Sequence, residues 1–191
     1  MNKILITLCL GLGSCFAAQA QKEKNELHFK SGQAQMITVF KGTIFVNGNK
    51  AFIFQKDNIN YASKRNKLVE DGKSVFLFLE TDNAPYKNRF LVFNIDHSLA
   101  DTVVNAIASD VKDWDGDGNL EFGGAENPPV YTGTDSAYYV ASRFYEIKKG
   151  KISYDAALTE KTDLKKNKIF LSDPYDANGQ PKLIPKRQPK R

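Results

Sequence analysis

Two segments, Val75-Phe76-Leu77-Phe78-Leu79 and Phe90-Leu91-Val92-Phe93, carry an apolar side chain at every position. Neighbours along a strand point to opposite faces, so a strand without a polar alternate must be covered on both sides. A chain with two such strands therefore has to build layers above and below them. Shorter runs rich in Phe, Ile, Val and Leu surround these two: Met36 to Phe40, Thr43 to Val46 and Ala51 to Gln55, with Ser74 to Glu80 and Arg89 to Ile95 framing the apolar pair. Asn47-Gly48 tolerates positive φ and reads as a tight hairpin. Lys148-Lys149-Gly150 reads as a second one, between strands over Tyr138 to Ile147 and Lys151 to Tyr154. Val103 to Ala108 is expected to be a strand despite a capping-box pattern at Ser98 and Asp101, because Val103-Val104 is β-branched. One short helix is expected over Asp155 to Lys166, with Leu158 and Leu164 facing a sheet, and Lys168 to Leu171 reads as an edge strand. Residues 56–73 and 81–88 read as polar loops, the first with a solvated cluster of Lys64, Arg65 and Lys67. The fold class that follows is mainly β: an antiparallel β-sandwich or curved sheet of about eight strands with at most one or two short helices.

The N-terminus sets the compartment. Met1-Asn2-Lys3 is a short positive start, Ile4 to Ala18 is apolar, and Ala18-Gln19-Ala20 is a small-x-small site followed by polar Gln21-Lys22-Glu23-Lys24. That is the layout of a bacterial signal peptide, which implies export to the periplasm or beyond. Leu12-Gly13-Ser14-Cys15 also has lipobox character. The apolar Phe16-Ala17-Ala18 that follows favours cleavage after Ala20 over lipidation of Cys15. Cleavage leaves 171 of the 191 residues and removes both cysteines, Cys9 and Cys15, so the mature chain has no disulfide, thiol nucleophile or thiolate metal ligand. It also removes Lys3, which takes 27 basic groups to 26 against 22 acidic ones. Five of those basic groups, Lys182, Lys186, Arg187, Lys190 and Arg191, lie in the last eleven residues; without them, residues 21–180 hold 21 basic and 22 acidic groups. The basic pI thus belongs to a tail, kept extended by Pro181, Pro185 and Pro189. The expected organisation is a signal peptide (1–20), a flexible N-terminus (21–34), one β domain (35–175) and a basic Pro-rich tail (176–191). No apolar run in the mature chain approaches the ~20 residues needed to span a bilayer, and an exported protein has no nucleic acid to bind.

One motif carries chemistry. Asp113-Trp114-Asp115-Gly116-Asp117-Gly118-Asn119-Leu120-Glu121 places acids at loop positions 1, 3, 5 and 9 and glycine at position 6. A hard cation such as Ca²⁺ takes six to eight oxygens at ~2.3–2.6 Å. Alternate residues of a tight loop can turn their carboxylates inward, and glycine permits the sharp bend. The expected ligands are Asp113, Asp115, Asp117, Glu121 and the backbone carbonyl of Asn119. Mg²⁺ suits the loop less well, since it wants fewer protein ligands in strict octahedral array.

The spacing resembles the Asp-x-Asp-Gly-Asp-Gly calcium loops of extracellular β proteins, such as integrin-type propeller blades with FG-GAP or VCBS repeats. It departs from the EF-hand, having Gly124 at position 12 and strands on its flanks. A single copy excludes a propeller. In order of elements, residues 103–155 are loosely similar to periplasmic β proteins that include lysozyme-inhibitor-like immunity proteins: a strand, the acidic loop, Ala137-Tyr138-Tyr139, Arg143-Phe144-Tyr145-Glu146-Ile147 and Gly150-Lys151-Ile152. That resemblance implies a non-catalytic binding role, with a cell-wall hydrolase or a cell-envelope glycan as partner.

Signatures of catalysis are sparse. The chain has two histidines, His28 near the mature N-terminus and His97. Asp96-His97-Ser98 spells triad residue types, but strand neighbours point apart, and His97 reads as a strand-end or turn residue. No nucleophile elbow, His-Glu-x-x-His or P-loop occurs. Carboxylate pairs for a glycan hydrolase exist in any chain with this many acids, which leaves that function as the alternative, together with a structural envelope role. Tyr138, Tyr139, Phe144 and Tyr145 form an aromatic stripe, one side of which is expected to be core. Tyr131, Tyr138, Tyr139 and Tyr145 are the residues from which a binding surface would be drawn.

Overall fold

The computed structural model describes residues 25–130 and 133–186. The segment read as a signal peptide, with Cys15, as well as Tyr131 and the last five residues of the expected tail, lie outside the described residues. Thirteen strands and one helix are present among those described. Strands β1 (Glu26–Lys30), β2 (Met36–Phe40), β3 (Thr43–Val46) and β4 (Asn49–Ile53) form a first antiparallel sheet in chain order, and β5 (Lys67–Asp71), β6 (Ser74–Thr81), β7 (Arg89–Asp96) and β8 (Leu99–Ile107) form a second. β9 (Leu120–Ala125), β11 (Ser142–Lys148) and β12 (Lys151–Asp155) make a third sheet with β11 in the middle; β10 (Ser136–Tyr138) pairs with β13 (Leu183–Pro185).

The second sheet is the middle layer. Val75, Leu77, Leu79, Phe93 and Ile95 project from one face and pack with Ile37, Val39, Ile44 and Val46 of the first sheet. Phe76, Phe78, Phe90 and Val92 project from the other face and pack with Phe122 and Ile147 of the third. The two uniformly apolar runs are thus central strands covered on both sides. Each fully buried large apolar side chain contributes ~1.5–3 kcal/mol. Edge-to-face rings add specificity: Phe78 meets Phe90 at 5.3 Å and Phe122 at 4.9 Å.

Both expected hairpins form. Asn47 and Gly48 have φ of 51° and 80°, and Lys149 and Gly150 have 51° and 71°, the paired positive values that match the twist of the strands they join. Helix α1 (Ala156–Asn167) begins at Asp155, whose side chain accepts from the Leu158 amide at 2.9 Å. Leu158 is buried as expected, whereas Leu164 is 43% exposed; the inner face continues through Thr159 and Asp163 instead.

Several elements differ from expectation. β1 lies within the stretch read as flexible, because Leu27 and Phe29 pack on the first core. β5 lies in the loop read over 56–73; it is only five residues long, with Leu68 and Val69 turned to opposite cores. β13 lies in the tail, where Ile184 is buried and Pro185 ends the strand without being needed as a donor. The domain therefore runs beyond 35–175 at both ends. The expected strand over Tyr138 to Ile147 is interrupted between β10 and β11, and Lys168 to Leu171 is not a strand; Lys168 is the left-handed C-cap of α1. Arg65 and Lys67 are not merely solvated: Arg65 pairs with Glu80 and Asp110, and Lys67 reaches the Val111 carbonyl. Among the described residues no helix is long and apolar enough to cross a membrane.

Tyr139 is the clearest correction to the binding-surface reading. It is only 1% exposed; its hydroxyl donates to Asp163 Oδ2 at 2.9 Å and accepts from the Leu171 amide at 3.2 Å. Burial, reinforced by the Asp163 charge against the help of the Leu171 N–H, pushes its phenol up to about 12. Tyr61 is likewise pushed up to about 12, by burial first and then by Asp57. Between pH ~10 and ~12 an unfolded chain releases these protons while the native chain keeps them, so stability falls as pH rises through that window. Absorbance at 295 nm is expected to show Tyr61 and Tyr139 ionising only near pH 12, and Tyr139→Phe is expected to flatten the alkaline loss of stability.

Gly123 in β9 has φ +125°, and a Cβ there would stand 2.2 Å from the Arg143 carbonyl oxygen and 3.0 Å from Phe144 Cα. Neither atom belongs to a flexible side chain. Gly123→Ala is expected to cost roughly 3 kcal/mol or more, read as a lower urea midpoint.

Candidate metal centre

The acidic loop is a closed excursion at the start of the third sheet. Lys112 and Glu121 exchange both backbone hydrogen bonds, at 3.1 and 2.9 Å, so residues 113–120 are pinched off at their base. Phe122, the next residue, is fully buried in the second core and anchors that base. Because strand neighbours alternate, fixing Phe122 on one face of β9 fixes Glu121 on the other.

Within the loop the backbone turns the carboxylates inward. Asp113 accepts from the amides of Gly116 at 2.6 Å and Gly118 at 3.0 Å. Asp115 accepts from the Asp117 amide at 3.2 Å, and Asp117 from the Asn119 amide at 2.8 Å. Gly118 has φ +91°, which the bend at position 6 requires. The result is that one oxygen from each of Asp113, Asp115, Asp117 and Glu121 lies within 4.8 Å of all the others. This cluster can bind a metal ion. All four carboxylates named from the spacing are brought together.

Three of the four are exposed; Glu121 is 0% exposed. Its Oε2 accepts from the Trp114 amide at 2.7 Å, while its Oε1 is buried without a partner. Burial pushes its carboxyl above the usual range, and the charges of Asp115, Asp117 and Asp113 push in the same direction against the Trp114 N–H. A carboxylate oxygen left in this position is costly unless a cation answers it. Asp117 is held below the ordinary range by the backbone and side-chain N–H groups of Asn119, aided by Lys148.

Asn119 enters the site by its side chain as well: Nδ2 donates to Asp117 Oδ2 at 2.7 Å and to Glu146 Oε1 at 2.9 Å. Glu146 stands directly across from Glu121 in the β9–β11 register and also pairs with Lys148 at 3.1 Å. Glu146 and Lys148 were not among the expected site residues. The hairpin signal at Lys148-Lys149-Gly150 locates their strand, but only the non-local pairing of β9 with β11 brings them to the loop. Trp114 covers the loop from outside, with its indole N–H on the Asp110 carbonyl at 3.1 Å and Lys112 Nζ over its ring at 4.2 Å.

The other expected candidates separate. Tyr145 is half-buried and stacked on Phe122 at 5.6 Å, and Tyr138 is half-buried in β10. His97 sits on the exposed β7–β8 turn with φ +50°, its Nδ1 2.5 Å from Asp96 Oδ1, and among the described residues no serine completes that pair. His28 lies on β1 between Thr38 and Glu26, at 3.2 and 3.0 Å. The chain was compared with protein-family models, with curated proteins and with solved structures, and it matches none of them.

Proposed function

We propose that the chain is an exported, Ca²⁺-stabilised β domain whose task is binding rather than turnover, with a component of the bacterial envelope as partner and a cell-wall hydrolase as the first candidate. The observation that supports the cation is Glu121, a fully buried carboxylate with one oxygen unpartnered and three aspartates converging on it. Ca²⁺ is the ion of choice because the donors are all oxygen and come from an irregular loop; Mg²⁺ would demand a regular octahedron and retain its water. Asp113, Asp115, Asp117, Glu121 and the Asn119 carbonyl would hold it. The ion supplies positive charge that offsets the carboxylate repulsion and ties the loop to β9. Among the described residues His28 meets Glu26 and Thr38 and His97 meets Asp96, pairs that assemble no triad, which favours a binding role. Export rests on the three-part N-terminus, and intact mass of the secreted protein is expected to place its first residue at Gln21.

An ion bound only by the native state stabilises it by RT ln(1 + [L]/Kd). For a Kd of ~10⁻⁴ M and ~1 mM ion this is ~1.4 kcal/mol, or about 3–6 °C in Tm for a domain of this size. Thermal melts with Ca²⁺ and with chelator are expected to differ by that amount, with a change in Trp114 emission. Asp115→Ala is expected to lose the difference while its apo form is no less stable than apo wild type, since one repelling charge is gone. Equal melting temperatures for wild type with Ca²⁺ and with chelator would reject the cation. Turnover of peptidoglycan or polysaccharide by the purified chain would reject the non-catalytic role.

A further inference from the structure

A second site stands apart from the acidic loop. Where β8, the end of β9, β11 and β12 meet the segment after α1, they enclose a cavity of about 280 Å³, close to the lower end of the ~300–1,000 Å³ range of small-ligand sites. We infer that this cavity binds a neutral sugar ring of a polysaccharide, through Arg143, Glu126 and Ser142 as polar anchors and Tyr145, Tyr154 and Tyr175 as aromatic walls. The inference deepens the binding role proposed above and does not depend on calcium.

Four observations carry it. First, two of the three buried side-chain oxygens without a partner among the described residues belong to this lining: Glu126 Oε2 and Ser142 Oγ. Buried polar atoms are ordinarily satisfied, and two without a partner on residues of one wall leave that wall incompletely hydrogen-bonded. Second, Arg143 is exposed and its side chain makes no ion pair or hydrogen bond among the described residues, so its fork of donors faces the cavity unengaged by them. Third, the charges balance. Arg89 is engaged by Glu126 and by Asn105, and Asp163 is occupied by Tyr139 and by the Ser142 amide. Two cationic and two anionic side chains in the wall disfavour a phosphate, a metal ion or any other net charge. Fourth, Tyr145 and Tyr154 face each other across the β11–β12 register with rings 6.5 Å apart at 76°, and Tyr154 and Tyr175 remain 52% and 39% exposed. Aromatic faces beside a few fixed donors and acceptors suit a molecule with apolar C–H faces and a rim of hydroxyls that both donate and accept.

The test is ¹H–¹⁵N NMR of the mature chain in calcium, titrated with maltohexaose, cellohexaose, laminarihexaose and chitohexaose to about 10 mM. At least one is expected to shift amides of residues 142–145, 152–155, 172, 173 and 175. Arg143→Ala and Tyr154→Ala are each expected to weaken that binding about tenfold or more with Tm near wild type, since neither side chain hydrogen-bonds among the described residues. No shift with any of the four would overturn the inference. So would shifts elsewhere, binding indifferent to both variants, or glycylglycine shifting the same amides where the sugars do not. A calcium-dependent Tm without sugar binding rejects the cavity assignment alone; sugar binding without a calcium effect rejects the cation alone and upholds the cavity.

Discussion

The two-sided burial of β6 and β7 governs the molecule. Neither face of these strands can meet water, so a layer is required on each, and the first and third sheets are those layers. Their inner faces are dictated in turn: Ile37, Val39, Ile44 and Val46 on one side, Phe122 and Ile147 on the other. The residues of the candidate metal centre are then positioned as by-products of that packing. Phe122 must point inward, so Glu121 points away from the second core and toward the acidic loop. Ile147 must point inward, which sets Glu146 opposite Glu121.

Two buried glutamates illustrate how differently the same side chain can be treated. Glu80 is buried, which alone would push its carboxyl upward, but Ser63 Oγ at 2.5 Å, Asn88 Nδ2 at 2.8 Å and Arg65 at 3.5 Å hold it below the usual range. It is a satisfied structural anion. Glu121 is also buried, with one amide donor and three like charges, and is pushed the other way. Burial of a carboxylate is therefore not the distinguishing mark of the loop; the missing donors are.

Local chemistry was legible in the sequence and distant pairing was not. Most of the strand runs, the Asn47-Gly48 and Lys149-Gly150 turns, and the helix after Asp155 rest on neighbours within a few residues and formed close to their expected bounds, whereas Tyr138 to Ile147 broke in two and Lys168 to Leu171 formed no strand. β1, β5 and β13 escaped notice because each is five residues or shorter and has polar or proline flanks; their stability comes from partners supplied by the sheet. The four loop carboxylates were legible because nine consecutive residues hold them. The burial of Glu121 and the arrival of Glu146 depend on the β9–β11 register, which no local pattern encodes. Tyr139 was misread for the same reason: its aromatic stripe marks a sheet, but only the docking of α1 with Asp163 makes that ring core.

The first two sheets are meanders, each strand pairing with its neighbour in the chain, so they zip together through short turns with little closure entropy. The third sheet breaks this rule. β9 pairs with β11 across residues 126–141, and β10 leaves to pair with β13 near the end of the chain. β9, the strand that carries Glu121, is therefore closed onto its partner by a longer loop than any pairing within the first two sheets. A cation held by the acidic loop would act on a layer that pairs less locally than the two meanders, as a clasp on the last layer rather than a rivet through the core.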